Sequence, residues 1–451
     1  MQDFIHLHVH THFSILDGMS KIDSLVDKAI ENGMKGMALT DHGNMFGIKE
    51  LFDYCNKVNK GRKKEGLEPF KPIFGCEMYV ARHNKEDMVA ANGDRSGNHL
   101  IVLAKNFNGY KNLIRLVSRA WVDGNYVRPR TDRKDLAMFH EDLIVCSACL
   151  AGAPQELIRR ALRRERYVNE TLPPEVLFQQ ADDMVKWYKD TFGDDYYMEL
   201  MRHEVKDPNI RANREVYEEQ MAIEPYLIDL AKKHNVKLIC SNDVHFVNED
   251  DAEAHERLLC LSTGKRIDEP HMLYSKQEWF KTKEEMNEVF SDIPEALNNT
   301  LEILDKVETY DIESNPIMPF FPIPEDFGTE EEWRKKYTEE DLFKEFTSDE
   351  NGENQMPEAD GLAKIKKLGG YDKLYRIKFE ADYLAKLAYE GAQRIYGSGT
   401  ADDLSADQLI KGNYGIPEDV EDRIRFELHI MKTMGFPGYF LIVSDFINSA
   451  R

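Results

Sequence analysis

The chain begins with a run of imidazole side chains, "FIHLHVHTHFSILDG", at residues 4–18. The histidines lie two residues apart, at His6, His8, His10 and His12, and Asp17 follows them. Side chains two apart on a β-strand point to the same face, so the run predicts a strand with one imidazole face. Imidazole and carboxylate groups are ligands of divalent transition metals, which indicates a metal site. A purification tag would instead be a consecutive histidine run.

Further residues that can bind metals occur beside later apolar runs. They are His42, Glu77, His99, Cys149, Asp243 and His245. Each has an ordinary structural explanation when taken alone, as a turn residue, an exposed strand residue or a small buried thiol. Together they indicate one site, because the strand ends of an α/β barrel meet on one face. His99 precedes its apolar run, so the rule for strand ends does not include it.

Apolar runs typical of strands alternate with amphipathic helical stretches over the first half of the chain. The predicted strands are 4–9, 36–40, 72–80, 99–104, 142–148, 196–201 and 236–242. A typical helix between them covers residues 21–32, with Ser20 as its N-cap and Gly33 after its end. About seven β-α units predict a parallel sheet, most simply closed into a distorted barrel.

Downstream of the predicted barrel, the alternation of strand and helix patterns ends. Residues 282–308 are predicted to be helical, and 313–328 form a proline-rich extended segment. A polar, acidic stretch at 347–361 interrupts the following helices and is expected to be a mobile surface insertion. We therefore expect a metal-binding domain at residues 1–285 and a mostly helical region at 286–451.

Composition limits the classes of function. The 451 residues carry 82 acidic and 59 basic side chains, a net charge of −23, which argues against a general nucleic-acid binder. The six cysteines do not resemble a disulfide framework, and the Cys146/Cys149 pair lacks a second pair to complete a zinc knuckle. Without an apolar membrane span or a secretory signal, we expect a cytoplasmic protein with no membrane partner.

The ordered motifs "HLHVHT", "TDHG", "GCE", "NHL", "CLAG" and "NDVH" resemble the PHP (polymerase and histidinol phosphatase) domain. The resemblance is to the form at the N-terminus of the alpha subunit of bacterial DNA polymerase III. The motifs lie within residues 4–247, and the stretches at 109–118 and 434–447 are similar to the same subunit. The resemblance implies a distorted (βα)7-type barrel followed by the mostly helical start of a polymerase core.

The resemblance also implies a ligand set and its chemistry. The metal ligands it places on this sequence are His8, His10, Asp17, His42, Glu77, His99, Cys149, Asp243 and His245. We expect these residues to bind two or three divalent transition metals, which are zinc, manganese or iron. We expect Asp17, His42 and Asp243 to take part in catalysis. His12, Arg202 and His203 are candidate substrate contacts, and His6 lies where many PHP proteins have aspartate.

Three functions are compatible with the resemblance. The first is a metal-dependent 3′→5′ exonuclease for proofreading, within a DNA-directed DNA polymerase that replicates DNA. The second is a catalytically silent metal-bound module that stiffens the polymerase or docks a partner, and the third is a small-molecule phosphatase. The implied partners are DNA and other polymerase III subunits, among them the sliding clamp and a proofreading subunit. The palm's catalytic carboxylates are expected beyond residue 451, so we expect no primer extension by this chain.

Overall fold

The computed structural model describes residues 1–88, 96–163, 172–314, 319–397 and 416–451. The chain forms two compact units, Met1–Glu313 and Ser314–Arg451. Residues 286–313 thus belong to the first unit, although the sequence predicts them to be part of the mostly helical region at 286–451. The boundary at residue 285 concerns a functional domain and stays a prediction.

The first unit is built on a curled sheet of seven strands. They are β1 (Gly36–Leu39), β2 (Lys71–Val80), β3 (Asn98–Ala104), β4 (Arg130–Thr131), β5 (Leu143–Cys146), β6 (Tyr196–Leu200) and β7 (Lys237–Cys240). The strand order is β1-β2-β3-β5-β6-β7, with β4 beside β2. Helices accompany this sheet and a helical region follows it, which confirms the predicted fold class of a distorted, barrel-like α/β domain.

The direction of β3 differs from the prediction. β3 pairs antiparallel with both β2 and β5, while the other pairs are parallel. The prediction of an all-parallel sheet is therefore wrong at this strand. Among the residues described between β2 and β3 there is no helix, and only parallel neighbours require a crossover connection.

The N-terminal histidine run lies between the two edges of the sheet. Its backbone accepts hydrogen bonds from β1 and the residue after it, Ala38 N to His6 O and Thr40 N to Val9 O, both at 2.9 Å. On the other side, His10 N donates to Val244 O at 2.7 Å, just after β7. The run is extended as predicted, but its bonds alternate between two neighbours, so it forms only an isolated bridge from Val9 to Val244.

Ten helices are described in the first unit. They are α1 (Ile22–Glu31), α2 (Ile48–Lys64), α3 (Phe107–Val122), α4 (Arg133–Met138), α5 (Ala153–Arg163), α6 (Pro174–Phe192), α7 (Glu215–His234), α8 (Ala252–Thr263), α9 (Lys283–Val289) and α10 (Pro294–Lys306). The predicted Ser20 cap is wrong, because Lys21 occupies the N-cap position of α1 without a side-chain hydrogen bond. Gly33 follows the helix with a φ of 66°, as predicted for a left-handed stop.

The core of the first unit lies on both sides of the sheet. β1 and β5 are buried at every residue, which is typical of strands covered on both faces. Helix α1 adds Ile22, Leu25 and Val26 to this core from one apolar stripe. The rigid sheet and its helices therefore hold the strand ends, which carry the predicted ligands, in fixed positions.

The second unit is helical, as the sequence predicts. Its helices are α11 (Glu330–Lys336), α12 (Glu339–Thr347), α13 (Glu358–Leu368), α14 (Tyr371–Tyr396), α15 (Glu418–Thr433) and α16 (Pro437–Ala450). Phe327, Trp333 and Phe379 pack together in one of its cores. The Trp333 indole N–H donates to Asp382 Oδ2 at 2.8 Å, and Lys378 Nζ donates to the other oxygen at 2.7 Å.

The polar stretch at 347–361 connects α12 to α13. It is largely exposed, as predicted for a surface insertion. Met356 N donates to Thr347 O at 2.9 Å and Glu353 N to Asp349 Oδ1 at 2.8 Å, so the connection is a hydrogen-bonded turn.

Among the described helices, none has the length and apolar character needed to cross a membrane.

Candidate metal centre

Seven of the nine predicted ligands lie together at one edge of the barrel-like sheet. Their donor atoms form three overlapping groups, and within each group the atoms lie within 4.8 Å of one another. The groups are His8, His10 and Asp243; His10, His42 and His245; and His42, Glu77 and His99. Each group could hold one ion, and the shared histidines place the three positions side by side.

The antiparallel direction of β3 explains how His99 joins this cluster. In the β2–β3 register, His99 lies opposite Tyr79, and Glu77 lies two residues earlier on the same strand face. Because β3 runs opposite to β2, its first residues lie at the edge where β2 ends. His42 follows β1 and forms a bridge to Glu77, so three neighbouring segments meet at one carboxylate.

The donor atoms of the cluster are buried, and six of them have no hydrogen-bond partner among the described residues. They are Nε2 of His8, His10 and His245, Nδ1 of His42, Oε2 of Glu77 and Oδ1 of Asp243. Buried polar atoms in proteins normally have partners. The same atoms approach one another closely, for example His8 Nε2 and Asp243 Oδ1 at 3.0 Å. A set of imidazoles and carboxylates converging in this way fits divalent transition metals.

The other nitrogen of each N-terminal histidine is held by a neighbouring polar group. His8 Nδ1 lies 2.8 Å from Glu199 Oε1, and His10 Nδ1 lies 2.9 Å from Ser14 Oγ. Ser14 Oγ in turn donates to Asp41 Oδ1 at 2.7 Å, so it accepts from His10. Contacts of this kind fix the ring orientation and the tautomer of a metal ligand, and leave Nε2 facing the cluster.

Glu199 contacts the predicted ligand His8 and was not among the residues predicted from the sequence. Its second oxygen accepts a hydrogen bond from Ala148 N at 3.0 Å, and Ser241 Oγ donates to the first. These donors satisfy the oxygens of a carboxyl group buried in β6. The sequence carries no signal for this role, because a single glutamate in the run "YYMEL" is equally typical of a solvent-facing strand position.

The carboxylates and imidazoles shift one another's proton affinities. Burial alone would lower the pKa of His8, but the charges of Asp243, Glu199 and Glu77 raise it well above its usual value. Burial lowers the pKa of His10 to about 3, so this ring is neutral near pH 7. Burial would raise the pKa of Asp243, but His8 and His245 hold it well below its ordinary value. The neighbouring carboxylates therefore favour a protonated His8. A divalent metal would have to displace this proton to bind the same ring nitrogen.

Asp17 and Cys149 lie at the margin of the cluster and outside the three groups. Asp17 Oδ2 is 3.0 Å from His42 Nε2, and its Oδ1 accepts a hydrogen bond from the Tyr274 hydroxyl at 2.9 Å. Cys149 Sγ is 3.6 Å from His99 Nδ1, and burial raises the pKa of its thiol well above the usual value. Both are near enough to join a metal site, and their roles stay predictions.

The candidate substrate contacts lie in different surroundings. His12 is exposed, and its Nδ1 is 3.4 Å from Ser20 O. Arg202 makes two bonds to Glu224, at 2.8 and 2.6 Å, and pairs with Asp292. His203 is buried beside Asn242. The structure thus does not bring His12 to the donor cluster, and it gives the Arg202 guanidinium two carboxylate partners.

His6 is separate from the metal cluster. Its Nε2 lies 2.8 Å from Lys281 O, and its ring packs against Phe4 and Phe280. Burial lowers the pKa of His6 to about 3, so the ring is neutral. The first of the four alternating histidines therefore contributes to the core rather than to the candidate centre.

A cavity of about 470 Å³ opens beside the donor cluster. Its walls include His99, Cys149, His203, Asp243 and Tyr274. Cavities of a few hundred Å³ with convergent polar groups are typical of small-ligand sites. The arrangement can therefore admit a reacting group to one side of the cluster.

Comparison with known families assigns two regions of the chain. Residues 6–203 match the PHP domain family. Residues 382–451 match the family described as the bacterial DNA polymerase III alpha NTPase domain. The first match contains most of the donor cluster, and the second falls in the helical unit.

The chain is also similar to curated bacterial proteins. It is 34% identical over 451 residues to DNA polymerase III subunit alpha of Borreliella burgdorferi, covering 99% of this chain and 30% of that protein. It is 32% identical over 454 residues to the subunit of the same name from Campylobacter jejuni, covering 100% of this chain and 31% of that protein. The chain thus spans about a third of the length of these relatives.

Among solved structures, histidinol phosphate phosphatase of Lactococcus lactis, complexed with zinc, L-histidinol and phosphate, is 13% identical. The match covers 61% of this chain and 98% of that one, with a TM-score of 0.29. A similarity at this level carries no argument about function.

Proposed function

Because the chain carries a PHP domain joined to a segment of the bacterial DNA polymerase III alpha family, we propose that its metal centre hydrolyses phosphodiesters at the 3′ end of DNA. The observation that supports this function is the buried set of imidazole and carboxylate atoms that converge on one another beside an open cavity. A 3′→5′ exonuclease of this kind serves proofreading in a replicative polymerase.

Two roles are proposed for the residues of the site, metal ligation and proton transfer. The nine predicted ligands would hold two or three ions of zinc, manganese or iron. When bound, such ions supply an activated water and stabilise the charge on the attacking and leaving oxygens. Asp17 accepts from the Tyr274 hydroxyl and faces His42 Nε2, so the Asp17/His42 pair can hold or pass a proton at that nitrogen.

The similarity to DNA polymerase III alpha subunits extends the proposal from the metal centre to the whole chain. We infer that the chain corresponds to the first part of an alpha subunit, whose polymerase activity requires sequence that these 451 residues do not contain. DNA, the sliding clamp and a proofreading subunit are its proposed partners, and the cytoplasm its proposed location. The near-complete coverage of this chain by relatives named DNA polymerase III subunit alpha supports this assignment.

The exposure of the cluster favours catalysis over a structural or docking role. Structural metal sites are closed, whereas catalytic sites keep an open position. The side chains of Asp17, His42 and His99 are 25%, 14% and 21% exposed. These residues are accessible members of the site, while His8 and His10 are buried.

The test is hydrolysis of a 3′-labelled oligonucleotide, single-stranded or mismatched at its 3′ end, with manganese, zinc or iron supplied. We expect removal of 3′ nucleotides, and Asp17→Asn should lower the rate by at least about 10- to 100-fold, the loss typical of changes around metal sites. Asp305→Asn, an exposed position on α10, is the matched control. If wild type and Asp17→Asn are both inert with every metal, the centre is structural. Equal activity of the two would assign the hydrolysis to a contaminant.

A further inference from the structure

An arginine outside the predicted site residues lies next to the donor cluster, on the far side of the Tyr79 ring. Arg128 belongs to the loop between α3 and β4. The loop packs on the residue after His42, because a Cβ atom at Gly43 would lie only 2.8 Å from Pro129 Cγ. The Trp121 indole N–H donates to Gly43 O at 2.8 Å from the same side. The Pro129 contact holds the loop, and the Trp121 contact holds the end of α3 that precedes it, beside the residue after His42.

The Arg128 guanidinium lies over the ring of Tyr79. Its central carbon is 5.8 Å from the ring centroid, within the range of a cation–π contact. The same tyrosine ring stacks on His42 at 6.0 Å and meets His99 edge-on at 5.2 Å. The guanidinium is therefore separated from two candidate metal ligands by one aromatic ring.

Arg128 differs from other arginines of the unit in its charge environment. Arg82 pairs with Glu156, and Arg159 pairs with Glu219. Arg128 is exposed, and among the residues that the structure describes it has no carboxylate partner. An exposed arginine without an ion pair, in a chain of net charge −23, leaves its donors free for an anion at this rim.

We propose that Arg128 binds a phosphate of the substrate strand next to the phosphate that is hydrolysed. The inference rests on the proposed function and adds to it a contact that favours a nucleic-acid strand over a phosphomonoester. A guanidinium presents its N–H donors in a fork that matches two phosphate oxygens. Since the Tyr79 ring separates it from the donor cluster, the guanidinium meets the neighbouring phosphate rather than the one at the metals. A phosphomonoester has no second phosphate and gains nothing from this contact.

The first measurement is steady-state hydrolysis of the 3′-labelled oligonucleotide and of p-nitrophenyl phosphate by the metal-loaded chain. Arg128→Ala should raise KM for the oligonucleotide about 10-fold, the loss of one charge-assisted hydrogen-bond pair. It should leave kcat, the metal content and the KM for p-nitrophenyl phosphate unchanged. Arg128→Lys keeps the charge without the fork and should restore part of the loss. Arg133→Ala is the matched control, because Arg133 is also exposed and lies 5.8 Å from the centroid of the Trp187 ring.

The second measurement does not depend on turnover. Binding of an oligothymidylate with phosphorothioate linkages is followed by fluorescence anisotropy, and binding of inorganic phosphate by equilibrium dialysis. Arg128→Ala should weaken oligonucleotide binding about 10-fold and lower the salt slope by about 1, with phosphate binding unchanged.

The outcomes separate the two proposals. If the wild type is inactive but Arg128→Ala still weakens oligonucleotide binding, the proposed nuclease function fails, while Arg128 remains a phosphate contact for a nucleic-acid strand. If the wild type is active while Arg128→Ala matches it in both KM and anisotropy, the role of Arg128 is overturned. Equal losses for the oligonucleotide and for inorganic phosphate would also overturn it, because Arg128 would then hold the phosphate at the metals. If the wild type does not bind the oligonucleotide, the proposed role of Arg128 is likewise overturned.

Discussion

At the residue scale, the candidate centre is a set of groups whose proton affinities bear on whether they can bind a metal. In the metal-free chain, Asp243, Glu199 and Glu77 raise the pKa of His8 well above its usual value against the effect of burial. Metal ligation requires the neutral imidazole, so binding releases this proton. The residues that attract a dication are thus the residues that hold the proton in its place.

The raised pKa of His8 predicts how pH changes the effect of a metal on stability. A raised folded pKa contributes stability below the unfolded value of about 6.5, and this contribution is lost as pH rises through the folded pKa. The metal-free chain loses that stabilisation at high pH, whereas metal binding becomes easier there. We expect zinc to raise the melting temperature more at pH 8.5 than at pH 6, measured by circular dichroism.

The control for this prediction is the His8→Gln variant, which removes the titrating imidazole. The difference in zinc effect between the two pH values should be smaller in this variant than in the wild type. A zinc effect of equal size at both pH values in the wild type would contradict the assignment of the proton to His8.

At the element scale, the loop at residues 11–18 determines where Asp17 faces the cluster. Ser14 N donates to Thr11 O and Gly18 N donates to Ser14 O, each at 2.9 Å. Gly18 is required by close approach, since a Cβ there would lie 2.3 Å from Thr11 O and 3.2 Å from His10 Cβ. The loop therefore closes on its own start, directly beside a candidate ligand.

We predict that Gly18→Ala weakens both the fold and the metal site. The added methyl group must push the loop away from Thr11, at a cost of about 1–3 kcal/mol for overpacking, and it displaces Asp17 from His42. Urea denaturation and zinc titration measure the two effects. Gly61→Ala is the control, because that helical glycine has nothing within 4 Å of the added atom and should gain about 0.5–1 kcal/mol. Equal stability and zinc affinity in Gly18→Ala and wild type would contradict the close packing.

The elements also show how far the sequence alone can lead. Alternation and helical periodicity predict strands and helices, and ligand-type residues beside strand ends predict the cluster of His8, His42 and Asp243. Periodicity carries no information on strand direction, so the antiparallel pairing of β3 could not be predicted. Glu199 and Arg128 contact partners distant in the chain, His8 and Tyr79, and neither belongs to a local sequence pattern that would reveal these contacts.

At the scale of the whole molecule, the nine predicted ligands all belong to the first of two units with separate hydrophobic cores. A metal that binds only the folded first unit stabilises that unit by mass action. The second unit contributes none of the predicted ligands, so its own stability has no direct link to the metal.

Calorimetry of the full chain should therefore show two transitions, of which zinc raises only one. The variant His245→Ala removes a candidate ligand and should reduce the shift of that transition while leaving the other in place. A variant with phenylalanine at Trp121, Trp187 and Trp279 leaves Trp333 as its only tryptophan, and its fluorescence can assign the unshifted transition because Trp333 lies in the core of the second unit. A single transition that moves as a whole would show that the units unfold together.

The N-terminal run between the two edges of the sheet has a consequence for biosynthesis. During translation, His8 and His10 emerge with β1, one of their two neighbours, well before Val244 and the ligands beside it. Nascent chains fold from the N-terminus as residues become available, and contacts between distant residues form slowly. While most of the first unit is translated, the backbone of the histidine run can therefore pair with β1 but not with the segment at Val244. Its imidazoles acquire their full set of neighbours only when that segment has emerged.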